Sequence, residues 1–123
     1  MNETKVFAFH SVLLFPLFFT IQELDGKPVT TGEGKSSLIN ISLNGLKLST
    51  PLNIPDSRPP VKISVRFTIN ETQFIVPGEI VWKNKRLDDY FYGIHFHIEE
   101  KQQVKLLEEL KSYIKGKNEK RGT

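Results

Sequence analysis

Val61-Lys62-Ile63-Ser64-Val65-Arg66-Phe67-Thr68-Ile69 decides the fold. Apolar and polar residues alternate throughout, so Val61, Ile63, Val65, Phe67 and Ile69 share one face and Lys62, Ser64, Arg66 and Thr68 the other. Successive side chains of a strand point to opposite faces, whereas a helix would scatter these five apolar residues around its circumference. The segment reads as a strand with one face on a core and the other in water.

Working outward, Asn70-Glu71-Thr72 turns the chain into a second strand, Gln73–Lys83, which contains Gly78 and ends in Val81-Trp82. A polar Lys83–Asp89 loop follows. Then Tyr90, Tyr92, Ile94, Phe96 and Ile98 alternate with Phe91, Gly93, His95 and His97. Beyond Glu99 the period changes. Val104, Leu107, Leu110 and Ile114 recur every three or four residues, with Leu106 and Tyr113 beside them, which predicts one amphipathic helix of about four turns. Gly116 stands where a helix stop belongs. Lys115, Lys117, Lys120 and Arg121 predict a basic, disordered tail over 115–123. Upstream, Val12–Ile21 is the most apolar run and reads as a buried strand reaching Leu24, with Asp25-Gly26 as its turn. Thr31–Lys35 is a polar connector. Leu38–Ser42 and Leu46–Ser49 flank Asn44-Gly45, read as a two-residue hairpin turn with positive φ. Pro51, Pro55, Pro59 and Pro60 mark a long loop without regular structure. The expectation is a mainly β domain over residues 1–114. It is a six-stranded antiparallel sheet curled into a barrel, with one C-terminal α-helix.

A chain of 123 residues suits one domain with one core. It has no cysteine, which removes disulfides, thiolate metal sites and a cysteine nucleophile. The apolar run at 12–21 is shorter than the roughly 20 residues a spanning helix needs and is broken by Pro16. Glu3 and the lack of a small-residue cleavage site argue against a leader, so no membrane insertion and a cytoplasmic location are expected. His95 and His97 share a strand face but have no placed third ligand, so no metal and no cofactor are assigned. No Gly-rich phosphate loop, serine elbow or convergent carboxylate pair is present, so an enzyme is not expected. Small barrels can bind single strands through aromatics among cations, and Phe91 with Lys83, Lys85 and Arg86 would serve. With most of the nine Phe in core positions and a net charge of only +3, DNA or RNA is the lesser reading.

One segment is more specific. Asn40-Ile41-Ser42-Leu43-Asn44-Gly45 fits [Asp/Asn]-x-Ser-x-x-Gly. It is followed by Leu46-Lys47-Leu48, Leu52-x-x-Pro55, Gly78-Glu79-Ile80-Val81-Trp82 and Tyr92-Gly93-Ile94-His95-Phe96. In this order, over roughly residues 6 to 114, the chain resembles the PilZ family of cyclic di-GMP receptors. The resemblance implies a six-stranded antiparallel barrel with a C-terminal helix, and a regulatory module that binds nucleotide on the barrel's outer surface and signals to a protein partner. It also implies that Asn40 and Ser42 contact guanine and phosphate and that Gly45 makes the turn. Asn, Ser and Gly are equally the residues a β-turn wants, so both readings stand.

The family's second motif, Arg-x-x-x-Arg ahead of the first strand, is missing. Around its place, only Lys5 and His10 carry cationic potential. Arginine grips the O6/N7 edge of guanine or a phosphate in a planar fork, each pair contributing about 1–3 kcal/mol, so losing two costs roughly 2–6 kcal/mol. Lysine has no such fork. Two expectations follow: a degenerate module with weak or absent nucleotide binding that acts through a protein partner, or a receptor rebuilt from non-arginine residues. In the second, Lys62 or Lys35 could reach the site from elsewhere. The first points to an exposed apolar patch, with Phe7, Phe9 and Phe91 as candidates.

Overall fold

The computed structural model describes the backbone of residues 6–7 and 16–122 and the side chains of 16–116. Among the described residues, eight strands precede one helix: β1 (Val6–Phe7), β2 (Leu17–Leu24), β3 (Lys27–Pro28), β4 (Gly34–Ser42), β5 (Gly45–Thr50), β6 (Lys62–Ile69), β7 (Thr72–Arg86), β8 (Asp89–Phe96) and α1 (Glu100–Gly122). Every pairing is antiparallel, in the order β1-β4-β5-β8-β7-β6-β2-β3, and a further β4–β2 pairing closes the six long strands into a barrel. Closure leaves no long open edge among them.

Alternation builds the core. On β6, Ile63, Val65, Phe67 and Ile69 are buried. They meet Leu17 and Phe19 of β2, Phe74 and Val76 of β7, Leu46 and Leu48 of β5, and Tyr92, Ile94 and Phe96 of β8. Helix α1 packs Leu106 and Leu110 against this core, both fully buried, with Tyr113 partly buried beyond. That seam differs from the expected one. Val104 is 51% exposed, and the buried stripe runs Leu106–Leu110–Tyr113, one turn apart at each step. Nor does the helix stop at Gly116. A Cβ there would meet nothing, and the helical backbone runs on to Gly122 through residues expected to be disordered. Lysine and arginine are good helix formers and complement the dipole at a C-terminus, so this sequence extends a packed helix readily.

The turns also differ from expectation. Asp25-Gly26 and Asn70-Glu71 carry the positive φ values of tight hairpins, whereas Asn44 and Gly45 do not. The β4–β5 connection is Leu43-Asn44, held by Ser42, whose Oγ accepts from the Asn44 N–H (3.2 Å) and donates to the Gly45 carbonyl (3.3 Å). Gly45 is required for another reason: a Cβ there would overlap the Ile94 carbonyl of β8. The expected Lys83–Asp89 loop is instead the paired end of a long hairpin, Arg86 lying opposite Asp89 and Lys85 opposite Tyr90. Lys83 and Lys85 lie over the Tyr90 ring, so strand pairing gives these cations partners that a loop would not.

Residues 51–61 form the long irregular stretch that the prolines predict, and it is firmly anchored. The Tyr92 hydroxyl, buried in the barrel, accepts from the Ile54 N–H (2.7 Å) and donates to the Leu52 carbonyl (2.9 Å). Burial pushes the Tyr92 phenol above its ordinary pKa. Lys83 Nζ donates to Asn53 Oδ1 and the Ile54 carbonyl, and the Ile80 N–H donates to the Val61 carbonyl at the far end.

Candidate functional site

Two β-bulges build the site. On β4, Leu38 and Ile41 both point towards the core although they lie three positions apart, an odd spacing that strict alternation forbids. The register slips between Leu38 and Asn40, and the extra residue turns Asn40 and Ser42 together onto the outer face. On β7 the register slips between Ile80 and Trp82, turning Trp82 outward, where it is 43% exposed.

The two slips align one row across four strands. Asn40 lies opposite Lys47, Lys47 opposite Gly93, and Gly93 opposite Trp82. At ordinary strand spacing this row crosses about 14 Å of outer surface. Gly93 is buried beneath the Trp82 indole, and a Cβ there would overlap the ring, so glycine lets the indole lie flat on the sheet. Lys47 Nζ lies 5.6 Å from the Trp82 ring centre and 5.5 Å from that of Phe91, both within cation–π range. Among the described residues Lys47 has no carboxylate partner and the Asn40 amide no hydrogen bond. The depression they line, with Ser42, Gly45 and His95, encloses about 290 Å³. Helix α1 reaches its rim, where Gln103 Nε2 donates to the Leu43 carbonyl and Asn44 Oδ1.

The predicted residues are distributed as follows. Asn40, Ser42 and Gly45 meet at this depression, with the Ser42 hydroxyl held in the turn. Phe91 lies half-buried at its edge, between Lys47 and the Arg86 guanidinium 5.9 Å away. Lys5, His10 and Phe9 lie outside the described residues, as does the side chain of Phe7, although the backbone of Val6–Phe7 pairs with Ser42 and Ile41. Lys35 is five residues from Asn40 on its strand, about 16 Å along it, and Lys62 sits 4.0 Å from Glu23. Neither reaches the site. No arginine lines this depression among the described residues. His95 and His97 rings stand perpendicular at 5.5 Å with His97 3.8 Å from Glu79, and no group of three or more potential metal ligands gathers among the described residues.

Lys47 and Trp82 are the residues that sequence reasoning missed. Lys47 was legible as an outward side chain between inward Leu46 and Leu48, two residues past Gly45. What pairs it with Trp82 is the slip at Val81, which alternation alone does not reveal. A flat indole, a cation without a carboxylate and an uncommitted carboxamide are the chemistry of holding a planar anionic ligand.

A PilZ domain family model matches residues 15–116. Among solved structures, the PilZ domain of CeSA from a cellulose-synthesizing bacterium shares the fold, with a TM-score of 0.50 at 16% identity over 72% of this chain and 80% of that one. No curated protein matches the sequence significantly.

Proposed function

The chain belongs to the PilZ domain family, a family that binds cyclic di-GMP, and from that premise we propose that it is a non-enzymatic regulatory module of cyclic di-GMP signalling whose nucleotide face is rebuilt around Lys47 and Trp82 instead of an arginine pair. The row Asn40–Lys47–Gly93–Trp82 carries this reading. A base stacks on the indole, a contact worth about 1–3 kcal/mol, and Lys47 Nζ meets a phosphate as a point charge. The Asn40 amide offers a donor and an acceptor to the base or sugar. Two missing forks, at roughly 2–6 kcal/mol, outweigh what one lysine returns, so the module binds weakly. Calorimetric titration with cyclic di-GMP at low and physiological salt tests this. The expected result is saturable binding in the high-micromolar to millimolar range, weaker at higher salt and weaker again in Lys47→Ala. Silence up to millimolar ligand at low salt would overturn it.

A signalling module also needs an output surface, and one observation favours the end of the β7–β8 hairpin. Leu87 at its tip is 94% exposed with φ of 55°, beside the Lys85-Arg86 pair. The chain has no cysteine, so Leu87→Cys gives a single attachment point for a cross-linker. The expected result is a trapped protein partner in cells; uncross-linked protein throughout would count against this surface.

A further inference from the structure

The Trp82 indole borders a second depression. Val81 and Trp82 line both the depression described above and a neighbouring cleft of about 320 Å³, whose opposite wall is the anchored stretch 54–61. Each alone is at the small end of ligand sites, which run from about 300 to 1,000 Å³, and the two meet at Val81 and Trp82 as a shared wall. Asp56 and Arg58, both exposed, line the second cleft, and neither side chain has an ion-pair or hydrogen-bond partner among the described residues. Between them the Ser57 hydroxyl donates to the Pro59 carbonyl (2.7 Å), and the Tyr92, Lys83 and Ile80 contacts fix both ends of the stretch. The two charged groups are thus mounted on a braced loop over an apolar wall, the arrangement that limits the entropy cost of binding.

We propose that this cleft is a guanine-recognition compartment, with Arg58 gripping the O6/N7 edge of a base and Asp56 accepting from its N1–H and exocyclic amine, while Lys47 holds a phosphate on the other side of Trp82. The proposal rests on the nucleotide-binding reading above and names the residue that discriminates the base. The donor–acceptor order favours guanine. Guanine offers two acceptors to an arginine fork and two donors to a carboxylate, whereas adenine places a donating amine where Arg58 needs an acceptor. The carboxylate also argues against a phosphate in this cleft, because Asp56 would repel it.

The test is titration of the full chain with cyclic di-GMP and with cyclic di-AMP, for the wild type and for Arg58→Ala, Arg58→Lys and Asp56→Ala. The wild type is expected to prefer cyclic di-GMP. Arg58→Ala and Arg58→Lys should each weaken cyclic di-GMP about 5- to 150-fold, the worth of one bidentate contact, and leave cyclic di-AMP unchanged. Asp56→Ala should narrow the preference. Unchanged cyclic di-GMP affinity in Arg58→Ala overturns the assignment. So does an equal loss for both nucleotides that Arg58→Lys restores, since that marks a phosphate contact. A wild type that binds neither nucleotide overturns the functional reading itself, and the compartment with it.

Discussion

Arg66 on β6 and Lys47 on β5 each lie over an aromatic ring on the outer surface of the barrel, and their surroundings differ. The Arg66 guanidinium stands 4.6 Å from the Phe18 ring centre and donates through two nitrogens to both carboxylate oxygens of Glu33. Glu33 is held below its ordinary pKa of 4.5 by those hydrogen bonds, and Arg66 is raised by the same contact. Lys47 has two rings, Trp82 and Phe91, and no carboxylate among the described residues. The Arg66 cluster is closed, its charge and donors answered within the chain. The Lys47 cluster is open, with a charge and a stacking surface that no carboxylate among the described residues answers. A cation over an aromatic ring is therefore no sign of function by itself, nor is a missing carboxylate, which Lys85 over Tyr90 and Arg86 over Phe91 share; what sets the Lys47 cluster apart is the row that also brings it the Asn40 carboxamide and the flat Trp82 indole.

The largest effect expected from this difference is at the ring. Trp82→Ala should weaken cyclic di-GMP by about 1–3 kcal/mol, roughly 5- to 150-fold by calorimetry. Phe18→Ala should lower the urea midpoint and leave the affinity alone. Equal effects of the two on binding would erase the distinction. Next, the open cluster can be closed by design. Ser49 lies two residues from Lys47 on the same face of β5, opposite Phe91. Ser49→Glu places a carboxylate beside the lysine and should weaken binding about tenfold, near the 1.5 kcal/mol scale of a contact to a charged group. Within the site motif, Asn40→Ala should cost about 0.5–1.5 kcal/mol of affinity with no change in the melting midpoint. Ser42→Ala should cost about the same in stability, with a smaller change in affinity, because its hydroxyl belongs to the turn. The smallest effect belongs to the closed cluster. Glu33 has a lowered folded pKa, so its contribution to stability is present above the unfolded value and lost as pH falls through the folded one. Glu33→Gln should therefore flatten the acid limb of a stability–pH profile below about pH 4.5 without affecting nucleotide binding at neutral pH.

Much of this molecule is legible in its residues, and the illegible parts share a cause. Val61–Ile69 alternates so strictly that β6 follows directly, and the change of period after Glu99 announces α1. Asn40, Ser42 and Gly45 are legible as a group because they are contiguous. Lys47 and Trp82 are separated by 35 positions and become neighbours only through two β-bulges and the flat seat that Gly93 provides. Arg58 stands in a proline-rich loop that composition alone leaves unplaced; the buried Tyr92 hydroxyl is what ties that loop to the barrel beside Trp82. Alternation reads single strands well, whereas a site assembled from four strands and a loop depends on register. The helix shows a milder version of the same problem. Its periodicity was plain, but which stripe faced the barrel was decided by how α1 docks, burying Leu106 in place of Val104.

Because Trp82 is the only tryptophan in the chain, its intrinsic fluorescence reports on the site alone. The most direct measurement is a fluorescence titration with cyclic di-GMP, corrected for nucleotide absorption, on the wild type, Lys47→Ala and Arg66→Ala. A saturable change is expected in the wild type, unchanged in Arg66→Ala and shifted to at least several-fold higher ligand in Lys47→Ala. A nucleotide that binds by calorimetry without altering Trp82 emission, or a response that depends on Arg66 and ignores Lys47, would place the binding face elsewhere and contradict it.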